Sequence, residues 1–311
     1  MKKLWIISLV IALTTVPMIL NAQANLPFFN SKGTVRIQTT ELDMLADTIA
    51  TVNHRADDIV WSRVVYRVID MREKQNYQLY FPMRANDQYR SLFRVMLDAV
   101  CAKKNPLIAY KRNARELKPL LNDSMVLKGE ELSKYFAYDN DANNNLIIVD
   151  PVTKKLKVGN DYYMKYVKNQ MKFLIQEIVF FDKHTSRMYS KIMTIAPLYA
   201  LHPDNTNSKL SFKYFQESVI CWFAFDEFRQ FLSKQYVIPN GNETQRLTYD
   251  DFFSQKLYSS YLVGDSNMFN KMLLENQELS TTPEKFQTLI RKEQKRIETE
   301  IMNAEQDLWE Y

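Results

Sequence analysis

Residues 171–201, "MKFLIQEIVFFDKHTSRMYSKIMTIAPLYAL", constrain the fold more than any other stretch. They hold two long runs of apolar and β-branched residues, joined by a polar segment from Asp182 to Ser186. Strands linked by so short a connection must run antiparallel, because a parallel pair needs a crossover of a dozen residues or more. Around this hairpin the chain offers more of the same. "NLIIVDPVTKKLKV" has the shape of a second hairpin turning at Asp150 and Pro151, and "SVICWFAF" reads as a further strand leading into a helical "DEFRQFLSKQ".

Helical signals are interspersed among these strands. From Asp57, with Asp57 or Asp58 as N-cap, the spacing predicts a first helix with Val60, Trp61, Val64, Val65, Val68 and Ile69 on one side. Arg63, Arg67, Asp70, Glu73 and Lys74 fall on the other, with Asp70 and Lys74 four apart as for a surface ion pair. "NYQLYF", 76–81, then alternates as a strand does. Further helices are expected over 87–102 (Leu92, Val95, Met96, Ala99 and Val100 inward), in "KGEELSKYFAY", and in "LTYDDFF", where Thr248 and Asp251 make a capping box. A last, long and highly charged helix opens at Thr282-Pro283. There is no regular βαβ repetition and no Gly-rich turn, so the class expected is α+β: a mainly antiparallel sheet with flanking helices and a long C-terminal helix.

The N-terminus fixes the expected compartment. Lys2 and Lys3 precede an almost unbroken apolar run from Leu4 to Leu20, with small residues at Ala22 and Ala24. This is the pattern of a secretory signal peptide, residues 1–24, cleaved after Ala22 or Ala24. A retained anchor is the alternative, but the run is short and lacks a positive stop-transfer flank. No Cys stands at the cleavage site to carry a lipid. A polar arm, 25–55, leads into a single domain over 56–311.

Composition excludes several classes. Net charge is +5, or about +3 without the two leader lysines, which argues against nucleic-acid binding. The chain carries 18 Tyr, 18 Phe and 4 Trp against 5 Gly, enough to fill a core and leave aromatic surface for contacts. Cys101 and Cys221 either form a disulfide, as export permits, or stay as two buried thiols in apolar company.

Groups for catalysis are scarce. The three histidines, His54, His184 and His202, lack ligand partners at metal-binding spacing, and no nucleotide or nucleophile motif occurs. "DNDANNNLIIVD" places Asp139, Asp141, Asn143 and Asp150 at calcium-loop positions. It has Asn144 where that loop needs Gly, so a solvated loop is the better reading. The basic run 103–118 is either a hydrated face or a surface for an acidic partner or lipid. The cluster Asp70, Arg72, Glu73, Lys74 is the one candidate acid–base set.

Three stretches carry a family resemblance: "DIVWSRVVYRVIDMREKQNYQLYFP" (58–82), "TYDDFFSQKLYSSYLVGDSNMFN" (248–270) and "DLWEY" (307–311). Together they resemble the GldN/PorN family of the gliding-motility and type IX secretion machinery of Bacteroidetes, with Tyr66 where Trp is expected. The resemblance implies a non-enzymatic structural subunit in the periplasm. It would associate with itself in a ring, with a GldK/PorK-type outer-membrane lipoprotein and with the periplasmic region of a GldM/PorM-type motor protein. It implies no cofactor, no metal and no nucleic acid, and no membrane span of its own. Trp309 and Tyr311 are then candidate partner contacts, although Leu308 and Trp309 pinning the helix to its own core explains them equally. The alternative function is a soluble periplasmic hydrolase using the carboxylates of 68–82, Asp70 and Glu73.

Overall fold

The β5–β6 hairpin is the centre of the molecule. β5 (Lys172–Asp182) and β6 (Arg187–Ala200) pair antiparallel from Lys172 opposite Leu198 to Asp182 opposite Arg187, with a bulge at Met193. The computed structural model describes residues 54–82, 89–112, 118–136, 146–150, 153, 155–159, 172–200, 217–239, 247–265 and 283–309. All of them belong to one unit, Ala46–Tyr311. The leader, nearly all of the arm, the calcium-like segment 139–145, His202 and Tyr311 lie outside the described residues.

β1 (Ile59–Asp70) lies against β5, and β9 (Tyr261–Asp265) against β1, both antiparallel. On the other flank β6 meets β7 (Glu217–Val219) and β8 (Trp222–Ala224), and β8 meets β2 (Ala109–Tyr110). The strand order is β2-β8-β6-β5-β1-β9, with β7 beside β6. The second hairpin forms as read, β3 (Ile147–Val149) against β4 (Leu156–Val158). "SVICWFAF" is two short strands rather than one, split at Ile220 and Cys221.

Four helical expectations are met. They are α2 (Leu92–Val100) capped by Ser91, α3 (Gly129–Tyr135), α4 (Phe225–Leu232) and α5 (Tyr249–Ser254). In α5 both halves of the Thr248–Asp251 capping box are present, which satisfies otherwise orphaned N–H groups of the first turn. The last helix, α6, runs Pro283–Trp309, and its 27 residues span about 40 Å.

The first expected helix and the strand after it are exchanged. Residues 59–70 are strand β1, preceded by a 3₁₀ turn at Ala56–Asp58, so neither Asp57 nor Asp58 caps an α-helix. "NYQLY" is helical instead: a 3₁₀ turn, Lys74–Asn76, runs into α1 (Tyr77–Tyr80). β1 is flanked by β5 and β9 and is covered on both faces in its second half, so Val64, Val65, Val68 and Ile69 are apolar in consecutive pairs rather than alternating. Paired apolar residues two apart mimic a helical stripe. Their β-branching is the property that favours the strand. Consequently Trp61, Arg63, Val65, Arg67 and Ile69 share one face, and the arginines are not opposite Trp61 but beside it.

That face carries two apolar patches. At one end Ile69, Phe173, Ile175, Ile192 and Ile195 pack under α2, α4 and α5, which contribute Phe93, Phe228 and Phe252 among others. At the other end Val65, Val179 and Leu262 receive Ile297 of α6, with Trp61, Met188 and Ile301 partly buried around them. The reverse face holds Tyr66, Val68, Leu174, Ala196 and Trp222 in a separate cluster.

Candidate interaction surfaces and buried ion pairs

The residues of 68–82 do not build an acid–base site. Asp70 closes β1 and is 7 % exposed. Its carboxylate accepts from the backbone N–H of Arg72 at 2.9 Å and from Arg72 Nη2 at 2.7 Å, with Lys172 Nζ at 3.7 Å. Burial opposes its ionisation, but the Arg72 hydrogen bonds and the Lys172 charge outweigh it and hold the carboxyl below the usual range. A carboxylate so held is a poor proton acceptor at neutral pH. The expected Asp70–Lys74 helix pair is replaced by these partners, because the strand ends at Asp70 and the chain turns. Asn76 fixes that turn: its Nδ2 donates to the Asp70 and Ser259 carbonyls, and its Oδ1 accepts from Ser259 N–H at 2.8 Å. Glu73 serves as the residue before the 3₁₀ turn, its carbonyl accepting from Asn76 N–H.

A charged seam lies between the two apolar patches. Glu177, 3 % exposed, faces Arg67 Nε at 3.2 Å and Lys256 Nζ at 2.6 Å, and accepts from the Ser190 hydroxyl. Lys256 also contacts Ser190 Oγ. Burial raises the Glu177 carboxyl, but Lys256, then Ser190 and Arg67, bring it below the ordinary glutamate value. A serine beside a lysine invites a nucleophilic reading. Here Lys256 is the counter-ion of Glu177 and the hydroxyl donates to the carboxylate, whereas an activated serine would donate to a neighbouring base.

Backbone geometry explains why Lys256 is there. α5 ends with Lys256 N–H on the Phe253 carbonyl and Leu257 N–H on the Phe252 carbonyl, a Schellman closure. Lys256 sits in the left-handed region at φ 52°, where glycine is usual. The strained position aims its side chain at Glu177.

Three more pairs fasten elements together. Arg229 of α4 grips Asp250 of α5 through Nε at 2.7 Å and Nη2 at 3.0 Å, both residues buried. Arg63 of β1 donates to Asp265 of β9 and, at 2.8 Å, to Glu300 of α6. His54 Nδ1 lies 2.6 Å from Asp182 Oδ2, its ring against Phe180 and Tyr189, so the start of the domain is tied to the hairpin turn. The His54 hydrogen bond is the main cause that keeps the Asp182 carboxyl low. Among the described residues no three of His, Cys, Asp and Glu come together as metal ligands.

None of these pairs was singled out from the sequence. The signal existed: Glu177 and Lys172 are charges inside otherwise apolar strand runs, and Asp250 is the acid that the Thr248 box does not use. Cys101 and Cys221 are free thiols, Cys221 fully buried and Cys101 partly, with burial pushing the Cys101 thiol up to about 12. Trp309 is the last residue of α6, and its side chain is not among those described.

The surface is uneven. The basic run shows Lys103, Lys104, Ile108, Arg112 and Lys118 exposed, while Leu107 and Ala109 point inward. α6 presents Arg291, Lys292, Lys295 and Met302 to solvent. No curated protein matches the chain. The family model for the gliding motility associated protein GldN matches residues 54–310, beginning at the His54 that anchors the hairpin turn and taking in the whole sheet and α6. The chain belongs to the GldN family of gliding motility associated proteins.

Proposed function

We propose that this protein is a non-enzymatic structural subunit of the type IX secretion and gliding machinery, exported to the periplasm and held at the outer membrane inside a ring built with a lipoprotein partner. The observation that carries this reading is the family match over 54–310, which spans the described domain. The interior agrees with it. Asp70, Glu177, Asp182, Asp250 and Asp265, the buried carboxylates among the described residues, each lie against an arginine, lysine or histidine side chain. Such pairs specify geometry rather than reactivity. The hydrolase alternative draws no support from 68–82, where Asp70 is fixed in a turn.

The subunit has no helix among the described residues that is long and apolar enough to cross a membrane. In this proposal, residence at the outer membrane falls to a lipid-bearing partner of the GldK/PorK type, and coupling to the inner membrane to a GldM/PorM-type protein. Trp309, the last residue of α6, and Tyr311 are the proposed partner contacts. The test is fractionation of the native host carrying a tagged chromosomal copy. Co-purification with an outer-membrane lipoprotein, lost on deleting 307–311 while the melting temperature holds, is the expected result. Full-length protein washing out with the soluble periplasm refutes the proposal.

A further inference from the structure

Among the described residues, β6 has a strand position beside it that no other strand fills. β5 pairs with one side of β6 from Arg187 to Leu198, with a bulge at Met193. On the other side β8 reaches only Thr194 and Ile195, and β7 only Leu198–Ala200. Among the described residues no strand pairs with that side over Arg187–Met193. β8 cannot continue along it, because Ala224 is the N-cap of α4 and the chain turns there to bury Phe225 and Phe228. The free length is about 23 Å at strand rise. In an antiparallel ladder alternate residues aim their N–H and C=O groups away from the paired strand, so β6 presents a row of such groups here. The edge is open to water: Met193 is 43 % exposed, the Lys191 side chain 40 %, and Arg187 is exposed.

The exposed charge beside this edge is mainly positive, because two of the three nearby acids are buried. Arg187, Tyr189 and Lys191 stand on the face shared with Phe180, opposite Asp182, Phe180 and Ile178. On the reverse face Ser190 carries the Lys256 ammonium. The nearby acids are Asp182, held by His54, Glu177, buried under Lys256, and Asp226, which meets Lys191 at 2.9 Å. The Asp226 side chain is 59 % exposed, so its bridge to Lys191 is a weak surface pair that another carboxylate can displace.

We infer that Arg187–Met193 is a docking edge for an extended, acidic strand of a partner protein, added to the sheet by main-chain hydrogen bonds. Its acids meet Arg187, Lys191 and Lys256, and its apolar residues lie beside Met188, Tyr189, Ile192 and Met193. Cations on an edge also deter pairing between copies, which reserves the position for a strand of opposite charge. The inference stands on the geometry of β6 and is independent of the assembly reading above.

The probe is the capped heptapeptide Val-Val-Glu-Glu-Val-Val-Glu, added to purified protein and followed by amide hydrogen exchange. At up to about 1 mM peptide, the outward amides of Arg187–Met193 should exchange about tenfold more slowly, with the β1–β5 amides unchanged. The same peptide with lysine for glutamate should do nothing, and Arg187→Glu with Lys191→Glu should reverse the preference. Retained β1–β5 protection shows that the double variant is folded. Absence of protection, protection elsewhere, equal binding of the lysine peptide, or protection that rises with protein concentration alone, as in self-pairing, each overturns the inference.

Discussion

Replacing Ile297 by Ala should release α6 from the sheet without unfolding the rest. Among the described side chains of α6, Ile297 is the fully buried apolar anchor, set against Val65, Val179 and Leu262. Burying it contributes about 1.5–3 kcal/mol. Ile301 adds a partly buried contact, and Gln294 Nε2 donates to the Leu262 carbonyl, about 1 kcal/mol each. The Arg63–Glu300 bridge, with Glu300 42 % exposed, contributes well under 1 kcal/mol. These described contacts sum to roughly 4–6 kcal/mol before the entropy of ordering the helix is subtracted. An Ile→Ala change costs about 2–5 kcal/mol. The substitution therefore removes a third or more of what the described contacts of α6 supply, while β5–β6 and the α2–α4–α5 layer keep their own core. Hydrogen exchange should show amides of 290–305 losing protection, with β5 amides unchanged and a modest loss of helical circular dichroism. Met302→Ala, on a side chain 51 % exposed, is the control and should change stability by less than about 0.5 kcal/mol. If Ile297→Ala instead lowers protection equally in α6 and β5, the helix is an inseparable part of the core and the reasoning fails.

Other substitutions separate the remaining effects. Lys256→Gly and Lys256→Met both strip Glu177 of its ammonium, but only glycine relieves the left-handed backbone; the glycine variant should be more stable by about 1 kcal/mol in urea melts. Glu177 has a folded pKa below its unfolded one, so its pairing stabilises fully above the ordinary value of about 4.3 and is lost as pH falls through the lower folded value. Glu177→Gln should accordingly destabilise at pH 7 and converge on wild type in acid, seen by melts across pH 2–7. Asp182 has the same sign through His54, and Asp182→Asn should loosen the 54–58 entry to β1, detected as faster exchange of the Lys183 amide that donates to the Asp58 carbonyl. Asp70→Ala should cost about 1–3 kcal/mol, since Arg72 N–H loses its acceptor in a partly buried turn.

How legible the fold was depended on whether a segment's pattern had one meaning. The β5–β6 hairpin, α2, the Thr248–Asp251 box and α6 each carried two agreeing signals, periodicity plus turn or cap chemistry, and the structure has all of them. β1 carried two conflicting ones. With neighbours on both edges and cover on both faces, its valines come in pairs, and 3.6-residue spacing fits pairs as well as a two-sided strand does. The ion pairs were illegible for another reason. Arg63 with Asp265, Arg229 with Asp250 and Glu177 with Lys256 lie 21 to 202 residues apart, and only the sheet register and the helix ends bring them together. The family resemblance was readable because it rests on residue identity, which survives a mistaken secondary structure: 58–82 carried it although both of its elements were read the wrong way round.

The distribution of charge explains how one chain can be rigid inside and adhesive outside. Glu177 and Asp250 each bind a cation from a different element, so an error in β5 register or in the α4–α5 packing would strand a buried charge at a cost of several kcal/mol. Such pairs penalise alternatives more than they stabilise the native state, and Glu177, through Ser190, also fixes where β6 is held. β6 then extends past part of its support: among the described residues no strand pairs with its outer side over Arg187–Met193. α6, about 40 Å long, is fastened to the sheet through Ile297, Gln294 and Glu300. An edge left unpaired gains no ladder hydrogen bonds from the isolated fold. It acquires a use when another strand lies beside it, and the interior pairs set the angle at which that strand is met.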